Sequence, residues 1–334
     1  MMRRMPYGDH HAFGDQAGRG SVYKAVHRQS GEEVLTLHPA WRGRKDELRR
    51  LTAEGLLVCQ GCRQAVRLKA GPRKRPHFAH RHLQGCSYGQ ESARILSGRA
   101  LLYDWLADMS PVQVEAEVAL PGLPRPADLV VRANSSESGG VVYWLVDALM
   151  KQETRGALRA AFEAGGLRPV WVLLSNLLHP DANHPAWIDL SPSERDCMRR
   201  TPYDQIGHED RLVDGDLGFS LHYLDLETAH MITYRCLERV HAPNVYAGRR
   251  KECELKNVRI DSSGDPVHPG EERDLAASRG ARLRQVERVR RWLEPAPRPK
   301  QPAMFPPARK SIHPEATDNL NLSFLDAISC GFGA

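Results

Sequence analysis

The chain has 334 residues, 41% hydrophobic and 26% charged, with 23 Pro and 27 Gly, which excludes a small disulfide scaffold and a wholly disordered chain. No run approaches the ~18 apolar residues of a membrane helix, and the first twenty residues hold no secretory apolar stretch, so a cytoplasmic protein without membrane contact is expected. The net charge of +6 is concentrated: Arg63 to Arg99 holds nine Lys/Arg against Glu91 alone, a candidate phosphate-binding surface because basic side chains release counterions from a polyanion.

Residues 1–20 are polar, glycine-rich and without period, and are expected to be disordered. Glu33 to Leu37 predicts a short strand and Asp46 to Glu54 a helix. From Glu91 to Leu106 the residues Ile95, Leu102, Trp105 and Leu106 recur at helical spacing, with Glu91 one turn before Ile95. Val112 to Leu120 alternates, with Val112, Val114, Ala116 and Val118 on one side and Glu115 and Glu117 on the other. Asp128 to Val131 predicts a second strand and Val141 to Ala148 an apolar third, the pattern of a sheet centre. Glu153 to Ala164 predicts a helix closed by Gly165-Gly166, and Val170 to Leu174 a strand reached by crossover. The resulting order is α-β-β-β-α-β.

Phe219 to Leu226 and Met231 to Val240 predict two strands of a C-terminal extension, and Glu271 to Glu294 an amphipathic helix with seven arginines. Pro295 to Pro307 contains six prolines and reads as a linker, followed by a tail with Leu320, Leu322, Phe324, Leu325 and Ile328. The expected organisation is a disordered 1–20, a metal-binding module over 21–89, an α/β (α+β) domain over 90–178, an extension over 179–260, and an Arg-rich helix, linker and disordered tail over 261–334.

Cys59-x2-Cys62, then His77-Phe78-Ala79-His80 and Cys86, supply ligands at spacings that close a tetrahedral zinc site. If Pro76 to His80 is extended, His77 and His80 face opposite ways and one of them binds. The expected set is Cys59, Cys62, His80 and Cys86 around a structural zinc, with His77 as the substitute. Arg67, Lys69, Arg73, Lys74 and Arg75, in the same segment, are the expected DNA contacts.

Glu91, Asp128 and Asp147 place three carboxylates on consecutive core elements. An ionised carboxylate inside an apolar sheet needs a partner, and Mg²⁺, which prefers oxygen ligands, is the expected one, polarising a phosphodiester and a water.

Cys59-x2-Cys62, Val66 to Gly71, His77-Phe78-Ala79-His80, Glu91, Leu101 to Leu106, Arg125-Pro126-Ala127-Asp128 and Pro169 to Leu173 together resemble the CoiA family of competence proteins. The resemblance implies a zinc-ribbon-like N-terminal module joined to a restriction-endonuclease-like nuclease domain, acting on DNA, single-stranded or branched, alongside recombination proteins during natural transformation. It implies Glu91, Asp128 and Asp147 as the acidic set. Where that class carries Glu, any residue, then Lys or Gln, this chain has Asp147-Ala148-Leu149. Lys151, two residues further, is expected to replace the missing group if the strand continues. The alternatives are a catalytically inactive DNA-binding accessory factor, or a defence or repair nuclease on the same fold.

Overall fold

The structure, a computed structural model, describes residues 20–71, 75–81, 86–88, 91–109, 112–133, 139–206, 218–240 and 244–293. Residues 1–19, the proline-rich stretch after 294 and the apolar tail motif lie outside the described residues. Of the described residues, 20–287 fall in one compact unit and 288–293 in a second.

The first unit begins with β1 (Ser21–Val22), β2 (Lys24–His27), β3 (Glu33–Leu35), α1 (Lys45–Ala53), β4 (Leu57–Val58), β5 (Val66–Lys69) and β6 (His77–His80). These make two three-stranded sheets, β1-β6-β5 and β3-β2-β4. Helix α1 carries Asp46 and Glu47 in its first turn, where carboxylates favour the helix dipole, and buries Leu48 and Leu51. Those two join Val22, Ala25, Leu57, Val66 and Phe78 in a small core that also holds Cys59 and Cys86. A core of that size gives limited stability, which is the condition in which a metal staple matters.

Helix α2 (Ala93–Ala107) starts where the Ser92 hydroxyl accepts from the Ile95 N–H, an N-cap that satisfies one orphan donor. It is followed by β7 (Val112–Val118), β8 (Ala127–Ala133), β9 (Gly140–Val146), α3 (Gln152–Ala164) and β10 (Leu167–Leu174). The order α2-β7-β8-β9-α3-β10 is the one the periodicities predict. Strand β9 is apolar throughout because both faces are covered. Tyr143 and Leu145 pack with Leu102, Trp105 and Leu106 of α2, and Val142, Trp144 and Val146 with Leu158 and Phe162 of α3.

Beyond β10 come β11 (Trp187–Asp189), α4 (Pro192–Arg195), β12 (Phe219–Asp225), β13 (His230–Arg239), β14 (Val245–Glu254), β15 (Arg259–Ile260), β16 (Pro266–Val267) and α5 (Glu271–Leu293). The central sheet has eight strands in the order β11-β14-β13-β12-β10-β9-β8-β7. β10 lies parallel to both β9 and β12, so the two strands expected in a C-terminal extension, which pair antiparallel with each other, continue the same sheet. β14 has no clear apolar alternation because Arg249-Arg250-Lys251-Glu252 interrupts it; its ten residues are held by pairing with β13. Among the described residues, no helix is long and apolar enough to cross a membrane.

Candidate functional site

Two polar centres stand out, one in the N-terminal module and one where α2 crosses the sheet. In the first, β5 and β6 pair with Val66 opposite His80 and Lys69 opposite His77. That hairpin returns the chain to the Cys59-Gln60-Gly61-Cys62 turn. The ligand atoms of Cys59, Cys62, His80 and Cys86 all lie within 4.8 Å of one another. Cys59 Sγ is 3.8 Å from Cys86 Sγ, and Cys86 Sγ is 3.4 Å from His80 Nε2. Zinc–sulfur bonds of about 2.3 Å at tetrahedral angles place two sulfurs about 3.8 Å apart, so the cluster fits that ion and could hold a metal such as zinc.

His80 Nδ1 lies 2.8 Å from the Gly20 carbonyl, an arrangement that fixes the ring and turns Nε2 to the ligand position. His77 sits outside the cluster, its Nδ1 donating to the Arg75 carbonyl at 2.9 Å and its ring edge-on to Tyr23. Burial pushes the Cys86 thiol up to about 12 and the Cys59 thiol upward. For Cys62, burial acts upward but bonds from the Gln64 backbone and the neighbouring cysteines outweigh it, leaving the thiol low. Bringing all three to thiolates requires a compensating cation, which a divalent metal supplies on binding.

Gly61 lies under the Tyr88 ring, and a Cβ at that position would be 2.6 Å from a ring carbon. Gly61→Ala should therefore push the ring off the turn, costing about 1–3 kcal/mol. The measurement is the rate of zinc release on chelator challenge, which should rise over wild type.

The second centre is built on Arg99, fully buried on α2. Its Nε and Nη2 donate to Asp128 Oδ1 at 3.1 and 2.6 Å, its Nη1 to Glu117 Oε1 at 2.5 Å, and its Nη2 to Glu91 Oε1 at 3.1 Å. Arg125, stacked 3.8 Å over the Trp144 ring, donates to Asp128 Oδ1 at 2.8 Å and Oδ2 at 2.9 Å. The Leu145 N–H adds a fifth bond to Asp128, at 2.8 Å. Burial acts upward on the Asp128 carboxyl, but Arg125 and Arg99 outweigh it and hold the group below its ordinary range. Burial raises Glu117, with Glu91 adding to the effect and Arg99 opposing it.

These bonds give no support to the expectation that Asp128 ligates magnesium. A carboxylate offers about four lone-pair directions, and five donors already fill them, two guanidiniums occupying the space a cation would need. Glu91 is likewise tied to Arg99. Asp147 stands beyond the end of β9, where the Ser92 hydroxyl donates to its Oδ2. Among the described residues, three or more ligand atoms converge at the Cys/His cluster and not at these acids. The residues present do not fit a three-acid magnesium site.

The condition attached to Lys151, a strand that continues past Asp147, is not met. β9 stops at Val146, so the alternation that would carry Lys151 to the acidic side is broken. Lys151 is the exposed N-cap position of α3, and Leu149 is 64% exposed. A cleft of about 370 Å³ remains beside the cluster, lined by Glu91, Ser92, Arg125, Asp147 and Leu149 among others, without Lys151. Glu91, one of the lining residues, has a buried Oε2 with no hydrogen-bond partner.

Residues 40–89 match the family model of the competence protein CoiA, N-terminal domain. No curated protein and no solved structure matches the chain. The matched span holds α1, β4, β5, β6 and all four ligands of the Cys/His cluster, and it stops short of Glu91. The CoiA-like character therefore belongs to the N-terminal module, and the acidic centre stands on its own geometry.

Of the expected DNA contacts, Arg67 is exposed on β5 and Lys69 half-buried beside it. Arg75 is bonded to Asp104 of α2, with Nη1 at 2.9 Å from Oδ1, so its charge is already neutralised. Arg73 and Lys74 lie outside the described residues. Arg99, part of the local charge excess, contributes nothing to the surface. Sequence reasoning counted Arg99 only as part of the basic surface and gave no role to Glu117 or Ser92. Arg99 did leave a signal: it falls four residues after Ile95, on the apolar stripe of its helix, where a charge needs buried partners. Glu117 left none, because alternation puts it with the outward Glu115.

Proposed function

We propose that this protein is a zinc-stapled, non-hydrolytic DNA-binding factor in competence-related DNA handling. The competence assignment rests on the CoiA-type module. The absence of hydrolysis rests on one observation: Asp128, the strand acid of the nuclease-like arrangement, accepts five hydrogen bonds from Arg99, Arg125 and the Leu145 backbone. A side chain so occupied orders the fold and is closed to a metal ion. DNA contact falls to exposed basic side chains such as Arg67 with Lys69 next to it.

The test combines binding and cleavage on labelled single-stranded, duplex and branched DNA. Wild type should bind with affinity that falls as salt rises, each phosphate contact adding about 0.7–0.9 to the log–log slope, and should release no product with Mg²⁺ or Mn²⁺. Arg67→Glu combined with Lys69→Glu should weaken binding on every substrate and flatten the slope. Metal-dependent products that disappear in Asp147→Ala would overturn the reading.

A second reading is a magnesium-dependent nuclease of restriction-endonuclease-like fold. It is favoured by the unpartnered Oε2 of Glu91, a residue that lines the same cleft as Asp147. The cleavage arm of the same experiment separates the two.

A further inference from the structure

Besides the Arg75–Asp104 pair and the packing of Tyr23 and Leu37 against α2, one buried carboxylate of the α/β domain holds backbone of the N-terminal module. Glu117 Oε1 accepts from the Tyr23 N–H and Oε2 from the Lys24 N–H, both at 2.8 Å, across more than ninety residues of chain. The same Oε1 accepts from Arg99 Nη1. To reach all three donors, Glu117, the penultimate residue of β7, takes φ of 51°, a left-handed conformation that a glutamate keeps only where its surroundings over-determine it. Glu117 is 2% exposed, Tyr23 3% and Arg99 fully buried.

The other end of this link is the Cys/His cluster. Gly20 accepts through its carbonyl from the His80 N–H at 2.8 Å, and the same oxygen is 2.8 Å from His80 Nδ1. Next to it, Ser21 and Val22 pair with Ala79 and Phe78 of β6. Five residues, Gly20 to Lys24, thus run from the back of a metal-ligand imidazole to the carboxylate that holds Arg99. Arg99 continues to Asp128 and Glu91, and Arg125 to the wall of the cleft.

We infer that cation occupancy of the Cys/His cluster and the order of the Arg99 carboxylate network are thermodynamically coupled through Gly20 to Lys24, with Glu117 as the positioning residue. An ion on Nε2 fixes His80, His80 fixes Gly20, and the strand that follows holds the Tyr23 and Lys24 amides on Glu117. Without the ion, those amides lose their fixed start, and Glu117 loses the donors that offset its backbone strain. Coupling of this kind is reciprocal, so loosening Glu117 must also weaken the metal. The inference rests on the metal reading of the cluster and is independent of what the protein does to DNA.

The experiment uses the full chain and zinc itself, with affinity read by competition against a chromophoric chelator. Glu117→Gln loses a charge and places an amide donor against a backbone N–H; it should bind zinc roughly tenfold more weakly, inside the ordinary range of site-to-site coupling. Phe162→Leu, a core change on the α3 side of the sheet, should leave zinc affinity as in wild type. In wild-type protein, chelation should speed hydrogen exchange at the Tyr23 and Lys24 amides while β12 and β13 stay protected. Unchanged affinity in a folded Glu117→Gln overturns the inference, as does equal weakening in Phe162→Leu. Should Glu117→Gln fail to fold, unchanged exchange at Tyr23 and Lys24 after chelation overturns it alone. A wild-type chain that holds no zinc sinks the metal reading and this inference together, whereas zinc binding with no coupling sinks the inference only.

Discussion

Arg99→Met should lower the stability of the protein by about 3–5 kcal/mol, the loss expected when one partner of a buried ion network is removed and the others stay charged. Arg99 is the shared donor for Glu91, Glu117 and Asp128, and its side chain is fully buried. Arg99→Lys should recover only part of the loss, because one ammonium cannot reproduce four bonds fixed by a planar fork. Arg132→Met, which breaks a half-exposed pair with Glu115 on the same sheet, should change stability by about 1 kcal/mol or less. Urea denaturation of the three variants gives the comparison. Similar shifts for Arg99→Met and Arg132→Met would show that the network contributes no more than a surface pair.

The same network has a pH signature in which two carboxylates act in opposite senses. Asp128 is held below its ordinary value of 3.8, so its contribution is complete above that value and is lost as pH falls through the lower, folded-state value. Glu117 is raised above 4.5, so its contribution is complete below 4.5 and is lost as pH rises through the folded-state value. Thermal melts of wild type and Asp128→Asn across the acid range test the first sign. Wild type should lose stability at the acid end, and Asp128→Asn, less stable at neutral pH, should lose less of what it has.

Removing the metal should have the other large effect. Chelation, or Cys86→Ser, should abolish hydrogen-exchange protection of β5 and β6 and should be reversed for wild type by added zinc. Apparent zinc-binding free energies of about 10–16 kcal/mol in small structural sites exceed what the compact core around Phe78 and Leu48 supplies. Circular dichroism with metal content by mass spectrometry reads the result. Unchanged protection in protein stripped of metal would mean that apolar packing alone holds the module.

Much of the fold was legible because its signals are local. The apolar run from Val141 needs cover on both faces, the stripe through Ile95 and Leu102 needs a sheet to lie on, and Gly165-Gly166 ends a helix, with Gly166 at φ of 62°. β14 was missed because its charges follow pairing with β13 and not an apolar face. The Cys/His cluster was legible because the knuckle spacing and the parity of His77 and His80 along one strand are properties of the chain itself, and the structure brings together Cys59, Cys62, His80 and Cys86.

The acids followed a different logic. Their positions on consecutive core elements could be read, and two of them, Glu91 and Asp128, do meet at one centre. What they meet there could not be read, since Arg99, Arg125 and Glu117 come from a helix, a loop and a strand whose relation is set by packing. Local periodicity and ligand spacing determined the order of the elements and the presence of a soft-ligand cluster. Tertiary contacts alone decided that guanidiniums hold Asp128, because charge compensation in a buried site depends on which side chains arrive within about 3 Å, a distance that no spacing along the chain encodes.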